Sequence, residues 1–266
     1  MSAPNVKFSV EAGAYDDEGA VLALGSYALP IGHMLGLQFD TAVGSIDGEV
    51  LGGGGVHLFT RDPSSHLLGI YGSYHTWNDI DIWRAAAEGE LYLGRFTLGG
   101  IAGYESVETP STLNGTPMIA LDDGHFFAQT DLAYYVTDDF KLYGGYRYIN
   151  EVSLGAAGAE FLFRAGDVPI SVFANANFGQ EEHTRITSGF KVYLGEAPSK
   201  SLIARNRTSD PDIYTPVFPV LSKLASPNGP ADCSNPQYAL NNITCICIND
   251  PKNRMCTQAE QLPGGQ

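Results

Sequence analysis

The chain has 266 residues, 44% of them apolar, with 15 Lys and Arg against 30 Asp and Glu, 31 Gly and only four Cys. A net charge of −15 excludes a nucleic-acid binder held by phosphate neutralisation, which needs clustered Lys and Arg. There is no run of about 18 apolar residues, so no transmembrane helix is expected.

Met1-Ser2-Ala3-Pro4 leads straight into an alternating segment, without the basic and apolar regions of a signal peptide. Period-2 alternation then recurs along the chain. Residues 6–14 set Val6, Phe8, Val10 and Ala12 against Lys7, Ser9 and Glu11. Residues 34–45 set Leu35, Leu37, Phe39, Thr41 and Val43 against Gly36, Gln38 and Asp40. The same contrast separates Trp83, Ala85, Ala87, Leu91 and Leu93 from Arg84, Glu88 and Glu90. It separates Phe126, Ala128, Leu132 and Tyr134 from His125, Gln129 and Asp131, and Ile186, Phe190, Val192 and Leu194 from Arg185, Thr187 and Lys191.

About twelve such segments are predicted: 6–14, 19–28, 34–45, 48–60, 66–77, 80–93, 95–105, 124–136, 139–150, 152–163, 169–180 and 183–194. Most exceed the ~5–6 residues of soluble strands and match the ~9–11 needed to cross a bilayer. One face is apolar and the other charged. The fold class is all-β: a transmembrane antiparallel β-barrel with a mostly irregular C-terminal tail. Composition changes near residue 196. Residues 196–266 hold nine of the 15 Pro, all four Cys and no net charge, so the whole −15 falls on 1–195. Residues 1–195 read as the barrel and 196–266 as a Pro-rich periplasmic tail, with a small disulfide-linked segment over 231–258.

The connections agree with an outer-membrane barrel whose ends are both periplasmic. Even-numbered connections are short, and the one long connection, about 106–124, is the seventh. The odd loops and adjoining residues hold 14 acids and no Lys or Arg. They include Asp16, Asp17, Glu18, Asp47, Asp79, Asp122, Asp123, Glu181 and Glu182, and also Glu105. These acids are candidates for holding divalent cations shared with lipopolysaccharide, since hard cations prefer carboxylate oxygens.

The strand pattern, with Leu29-Pro30-Ile31-Gly32-His33, Arg61-Asp62-Pro63-Ser64-Ser65 and Ala133-Tyr134-Tyr135-Val136-Thr137-Asp138-Asp139, resembles small porin-like outer-membrane barrels of α-proteobacteria. Lys200-Ser201-Leu202-Ile203-Ala204-Arg205-Asn206-Arg207 is similar to the same group. The resemblance spans about residues 3–220 and implies location in the bacterial outer membrane, with lipid and lipopolysaccharide as surroundings. Thr187, Gly189, Val192 and Leu194 also resemble the insertion signal read by the barrel-assembly machinery, although here about 70 residues follow it.

Parity assigns the pore-lining candidates: Glu11, Gln38, Asp40, His57, Arg84, Glu88, Glu90, His125, Gln129, Asp131, Arg147, Glu160, Asn175, Asn177, Arg185 and Lys191. They make either a packed core of paired charges or a water-filled path that selects solutes by charge. With an acidic lumen and mouth, such a path favours cations. Ser73 and His75 share a strand face, and some outer-membrane barrel enzymes cleave lipid acyl chains with Ser and His. This pair, however, has no acid beyond the sequence neighbours Asp79 and Asp81 to orient the His.

Tyr27, Tyr71, Trp77, Trp83, Tyr92, Phe96, Tyr104, Tyr134, Tyr146, Tyr148, Phe161, Phe178 and Tyr193 fall towards strand ends and read as an interfacial girdle. Gly52-Gly53-Gly54-Gly55 lies inside a strand pattern and reads as room for curvature or close approach. Cys233, Cys245, Cys247 and Cys256 are poorly spaced for zinc. In an oxidising periplasm they suit two disulfides, with three connectivities open.

The function expected is passive passage of small solutes, without cofactor, metal or catalysis. A closed-lumen interaction barrel is the alternative, and a lipid-modifying enzyme the second.

Overall fold

The computed structural model describes residues 3–15, 18–32, 34–108, 112–113, 116–117, 124–149, 152–179, 184–209 and 211–214. Twelve long strands come in chain order. The first six are β1 Asn5–Tyr15, β2 Glu18–Ile31, β3 Leu35–Ile46, β4 Glu49–Asp62, β5 His66–Trp77 and β6 Ile80–Leu93. The second six are β7 Phe96–Glu108, β8 Gly124–Thr137, β9 Phe140–Ile149, β10 Val152–Ala165, β11 Val168–Gly179 and β12 Thr184–Leu194. Each pairs antiparallel with its chain neighbours. β1 also pairs with β12, from Val6↔Leu194 to Tyr15↔Arg185, which closes the barrel. Closure removes the unpaired edges that an open sheet would expose.

The turns explain the sharp reversals. Asp47 and Gly48 have φ of 53° and 76°, and Asn78 and Asp79 have 49° and 60°. Two successive left-handed residues make the type I′ hairpin turn, whose twist matches that of the flanking strands. The long seventh connection contains a two-residue ladder, Thr112–Leu113 with Thr116–Pro117.

The wall is inverted relative to a water-soluble barrel. Phe8, Phe39, Ile70, Trp83, Leu132, Phe161 and Phe190 are exposed on the outside. Lys7, Glu11, Gln38, His57, Arg84, Glu88, Arg147, Glu160 and Arg185 are buried inside. Apolar surface left in water costs about 25 cal/mol per Å², so a continuous belt of this kind is stable only against lipid. The chain is a transmembrane antiparallel β-barrel. No helix among the described residues is long and apolar enough to cross a membrane.

Four of the thirteen aromatics expected in the girdle point the other way. Tyr71, Trp77, Tyr92 and Tyr193 are buried inside, at 3–6% exposure. Strand parity overrides their position along the axis. Trp77 donates its indole N–H to the Ile46 carbonyl at 3.2 Å. It joins Tyr15, Leu22, Ile46, Leu51, Ile80 and Val107 in an apolar cluster at the odd-loop end of the lumen. The glycine run serves neighbouring rings. A Cβ on Gly53 would lie 2.6 Å from His75 Cδ2, and one on Gly55 2.9 Å from Tyr71 Cε2, whereas Gly52 has open space.

The chain continues to pack on the barrel beyond residue 195. Helix α1, Leu202–Thr208, lies against the even turns, with the Ser201 hydroxyl accepting from the Ala204 N–H. Its first backbone donors are taken up by the β8–β9 turn. Leu202 N–H reaches Asp139 Oδ1 at 3.1 Å, and Ile203 N–H reaches the Asp138 carbonyl at 3.0 Å. Leu202 is fully buried among Tyr135, Leu162 and Tyr193. Arg205, 1% exposed, is held by Glu196 Oε2 at 3.0 Å and the Ala197 carbonyl at 2.7 Å. Its guanidinium also stacks over Tyr193. Although composition sets residues 196–266 apart, their first stretch forms part of the same packed unit.

Candidate functional site

The inward side chains meet in two unlike walls. On β3, β4 and β6, each ring nitrogen of His57 faces a carboxylate: Nε2 lies 2.8 Å from Asp40 Oδ2, and Nδ1 lies 2.9 Å from Glu88 Oε2. Gln38 donates to Asp40 Oδ1 at 2.8 Å. Glu90 accepts from the Tyr92 hydroxyl at 2.7 Å, and Arg61 lies 3.8 Å from it.

On β9, β10 and β12 lysines dominate. Glu160 Oε2 lies 3.1 Å from Lys141 Nζ, and its Oε1 accepts from Lys191 Nζ at 3.2 Å. Oε1 also accepts from the Ser171 and Tyr193 hydroxyls, both at 2.6 Å. Lys7 of β1 lines the same space. Nearby pairs are self-contained. Arg147 grips Asp131 through both nitrogens, at 2.7 and 2.8 Å. Arg185 binds Glu11, and Arg84 binds Glu105.

Between the walls lies a piece of the chain itself. Beyond α1, Pro211–Tyr214 lies in the lumen. The Pro211 carbonyl accepts from Lys7 Nζ at 2.9 Å and Gln38 Nε2 at 3.3 Å. The Tyr214 carbonyl accepts from the Tyr71 hydroxyl at 3.1 Å. Ile213 packs on the apolar cluster near the far end. The Tyr214 ring sits 5.9 Å from His57 and 5.7 Å from Tyr71.

Asp212 lies inside the wall, yet its side chain is exposed to a cavity of about 220 Å³, which Lys7, Lys141, Asn175 and Lys191 also line. Enclosure by protein raises its carboxyl pKa, but Lys141, Lys191 and Lys7 outweigh that and hold it below the ordinary aspartate value.

Residues chosen by parity fall where strand geometry sends them. Glu11, Glu90, Gln129, Asp131, Arg147, Glu160, Asn175, Asn177, Arg185 and Lys191 border the cavity. Gln38, His57, Arg84 and Glu88 are buried in or beside the carboxylate wall, with the partly buried Asp40. His125 sits opposite Glu105 in the β7–β8 register. Glu105, placed by sequence with the outer acids, is 1% exposed and belongs to the lumen.

Lys7 and Lys141 also line the lumen beyond the residues expected there, although Lys7 stands on the polar face of its segment. Nothing in the sequence signalled Asp212 or Tyr214. Ser73 and His75 are also inward and buried, at 6% and 3% exposure, so the wall separates them from any lipid outside. No hydrogen bond reaches His75 Nδ1 among the described residues.

Of the outer acids, Glu18 begins β2, while Asp47 and Asp79 occupy the left-handed turns. Asp16, Asp17, Asp122, Asp123, Glu181 and Glu182 lie outside the described residues, as do Cys233, Cys245, Cys247 and Cys256. Among the described residues no cluster of three or more His, Cys, Asp or Glu is placed to hold a metal ion.

No family model and no curated relative matches the chain. Solved structures similar to it are outer-membrane barrels. The KdgM porin is 8% identical with a TM-score of 0.48, over 71% of this chain and 98% of that one. The NanC porin is 8% identical with a TM-score of 0.46, over 72% and 98%. LpxR from Salmonella typhimurium is 8% identical with a TM-score of 0.42, over 71% and 99%. At this identity and overlap the likenesses transfer no activity.

Proposed function

We propose that the chain is a porin-like outer-membrane barrel for passive passage of small solutes, held shut in this conformation by its own residues 196–209 and 211–214. The observation that carries the reading is a wall that is apolar outside and charged inside, with a cavity in it. The occluding segment is seated chiefly by two backbone carbonyls and one ring. Such contacts hold a segment in place without welding it to the wall.

In this reading the even turns and α1 face the periplasm, and the acid-rich odd loops face outwards among lipopolysaccharide. The acid excess of residues 1–195 favours cations over anions in the open state. The geometry gives no support to a lipid-modifying enzyme built on Ser73 and His75, because both groups are turned away from lipid.

Planar-bilayer conductance tests the proposal. The parent should pass little current, and Tyr214→Ala with Ile213→Ala should open long-lived steps with cation-positive reversal potentials. The specific observation favouring a permanently closed interaction barrel is that same seated segment. Silence in both proteins would establish that second reading and sink the first.

A further inference from the structure

Across β4 to β8, one inward row of paired residues reads His57, Tyr71, Ala86, Gly103 and Phe127. Two positions without bulk therefore stand between two rings. The rows on either side restore full side chains: Glu88 and Ile101 towards the even turns, Arg84 and Glu105 towards the odd loops. The wall thus contains a slot bounded on four sides, with Ala86 and Gly103 as its floor. Neighbouring strands lie about 4.8 Å apart, so Tyr71 and Phe127 are rooted about 14 Å from each other, and the concave wall leans them together. Both are buried, in one apolar cluster with Ile101.

The ring that fills this slot does not belong to the wall. Tyr214 packs on Tyr71, Ile101, Phe127 and Ala86. Its ring meets Tyr71 edge-on at 5.7 Å and 72°, and lies 5.9 Å from His57. Favourable aromatic pairs have centroids about 4.5–7 Å apart. Seat and occupant differ in how they are held. Strand pairing fixes every residue of the seat, whereas among the described residues no strand pairing holds Tyr214. Tyr214 also borders the cavity of about 220 Å³, so a ring in the slot can carry a polar substituent into that space.

We infer that the slot is a binding site for aromatic solutes of the phenol class, and that Tyr214 is the tethered ring that fills it in their absence. The inference rests on the channel reading only for the route by which the solute arrives. A free phenol and Tyr214 compete for one seat, so binding of the solute and seating of the segment oppose each other.

Calorimetric titration of the full chain in detergent micelles with p-cresol, corrected with empty micelles, tests the site. The probe is the tyrosine side chain from Cβ outwards. Heat-shifted gel mobility certifies each folded barrel. A tethered ring competes at an effective concentration in the millimolar range or above, so Tyr214→Ala should bind p-cresol about tenfold more tightly than the parent. Tyr214→Phe should behave like the parent. Adding Ala86→Phe to Tyr214→Ala fills the slot from its floor and should abolish the gain. If that protein fails to show the folded band, Phe127→Ala, which removes one side of the slot, takes its place. Methylcyclohexanol, similar in outline but without π faces, should bind Tyr214→Ala several-fold more weakly than p-cresol.

Equal p-cresol affinities of parent and Tyr214→Ala would overturn the site, and so would a gain that survives the second substitution. Equal binding of methylcyclohexanol would overturn its aromatic class. Bilayer conductance of the protein carrying Ile213→Ala and Tyr214→Ala separates the two proposals. Binding of p-cresol without current leaves the site and removes the channel; current without p-cresol binding does the reverse.

Discussion

Replacing Glu160 with Gln removes one negative charge from the inside of the wall and almost nothing else. The carboxylate is 4% exposed and faces two ammonium groups, Lys141 at 3.1 Å and Lys191 at 3.2 Å. Gln keeps the volume and one acceptor oxygen, but leaves both lysines crowded together without that counter-charge. Breaking a buried ion pair by removing one partner costs about 3–5 kcal/mol. Asp212 stands close enough to offset part of this, so the expected loss lies near the lower end, about 3 kcal/mol.

The control is Asp138→Asn, whose partner Arg95 lies 2.8 Å away but with both side chains about half exposed or more. An exposed pair is worth about 0–1 kcal/mol. Urea unfolding from lipid vesicles, followed by tryptophan fluorescence, measures both; Trp77 reports from inside the wall and Trp83 from outside. A loss below about 1 kcal/mol for Glu160→Gln, or one equal to that of Asp138→Asn, would refute the claim that this carboxylate neutralises a buried lysine pair.

The two neighbouring glycines should separate cleanly in the same assay. Gly53→Ala drives a methyl to 2.5 Å from the Tyr74 carbonyl and should cost about 1–3 kcal/mol, whereas Gly52→Ala meets open space and should be near neutral. Leu132→Arg places a charge on the lipid face midway along β8 and should cost about 2–4 kcal/mol, with loss of the heat-shifted band in thinner vesicles first. Acidification should release the inner segment. The seated Asp212 carboxyl is held below its ordinary value by Lys141, Lys191 and Lys7, with Glu160 opposing. Seating is therefore fully favoured above the unseated pKa of about 3.9 and is lost as pH falls through the lowered seated value. Limited proteolysis and conductance should show the release below about pH 4 in the parent and no such step in Asp212→Asn.

The wall was legible because a barrel in lipid imposes one rule on every residue of a strand. Alternation alone placed Phe8 outside and Lys7 inside, and the strand ends fell within a few residues of those observed. The same rule misled where a second pattern was laid over it. Position along the axis puts Tyr71, Trp77, Tyr92 and Tyr193 in the girdle, whereas the parity of their strands turns them inward. Glu105 lies next to a loop, but its strand face turns it into the lumen.

The segment that fills the lumen had no comparable signature. Pro211–Tyr214 is too short to show a period, and its partners Lys7, Gln38 and Tyr71 are 143 to 204 positions away. All three of these hydrogen bonds are accepted by backbone carbonyls, which every sequence has. The short helix before it was equally quiet. Its Ser201 cap and buried Leu202 are ordinary residues whose meaning depends on the turn they meet.

The order of elements along the chain has a consequence for assembly. β12 is followed, not preceded, by the segment that occupies the lumen, and that segment enters from the end at which β12 itself finishes. Among the described residues no strand pairing runs through Pro211–Tyr214, so the hoop can be completed before that segment is seated.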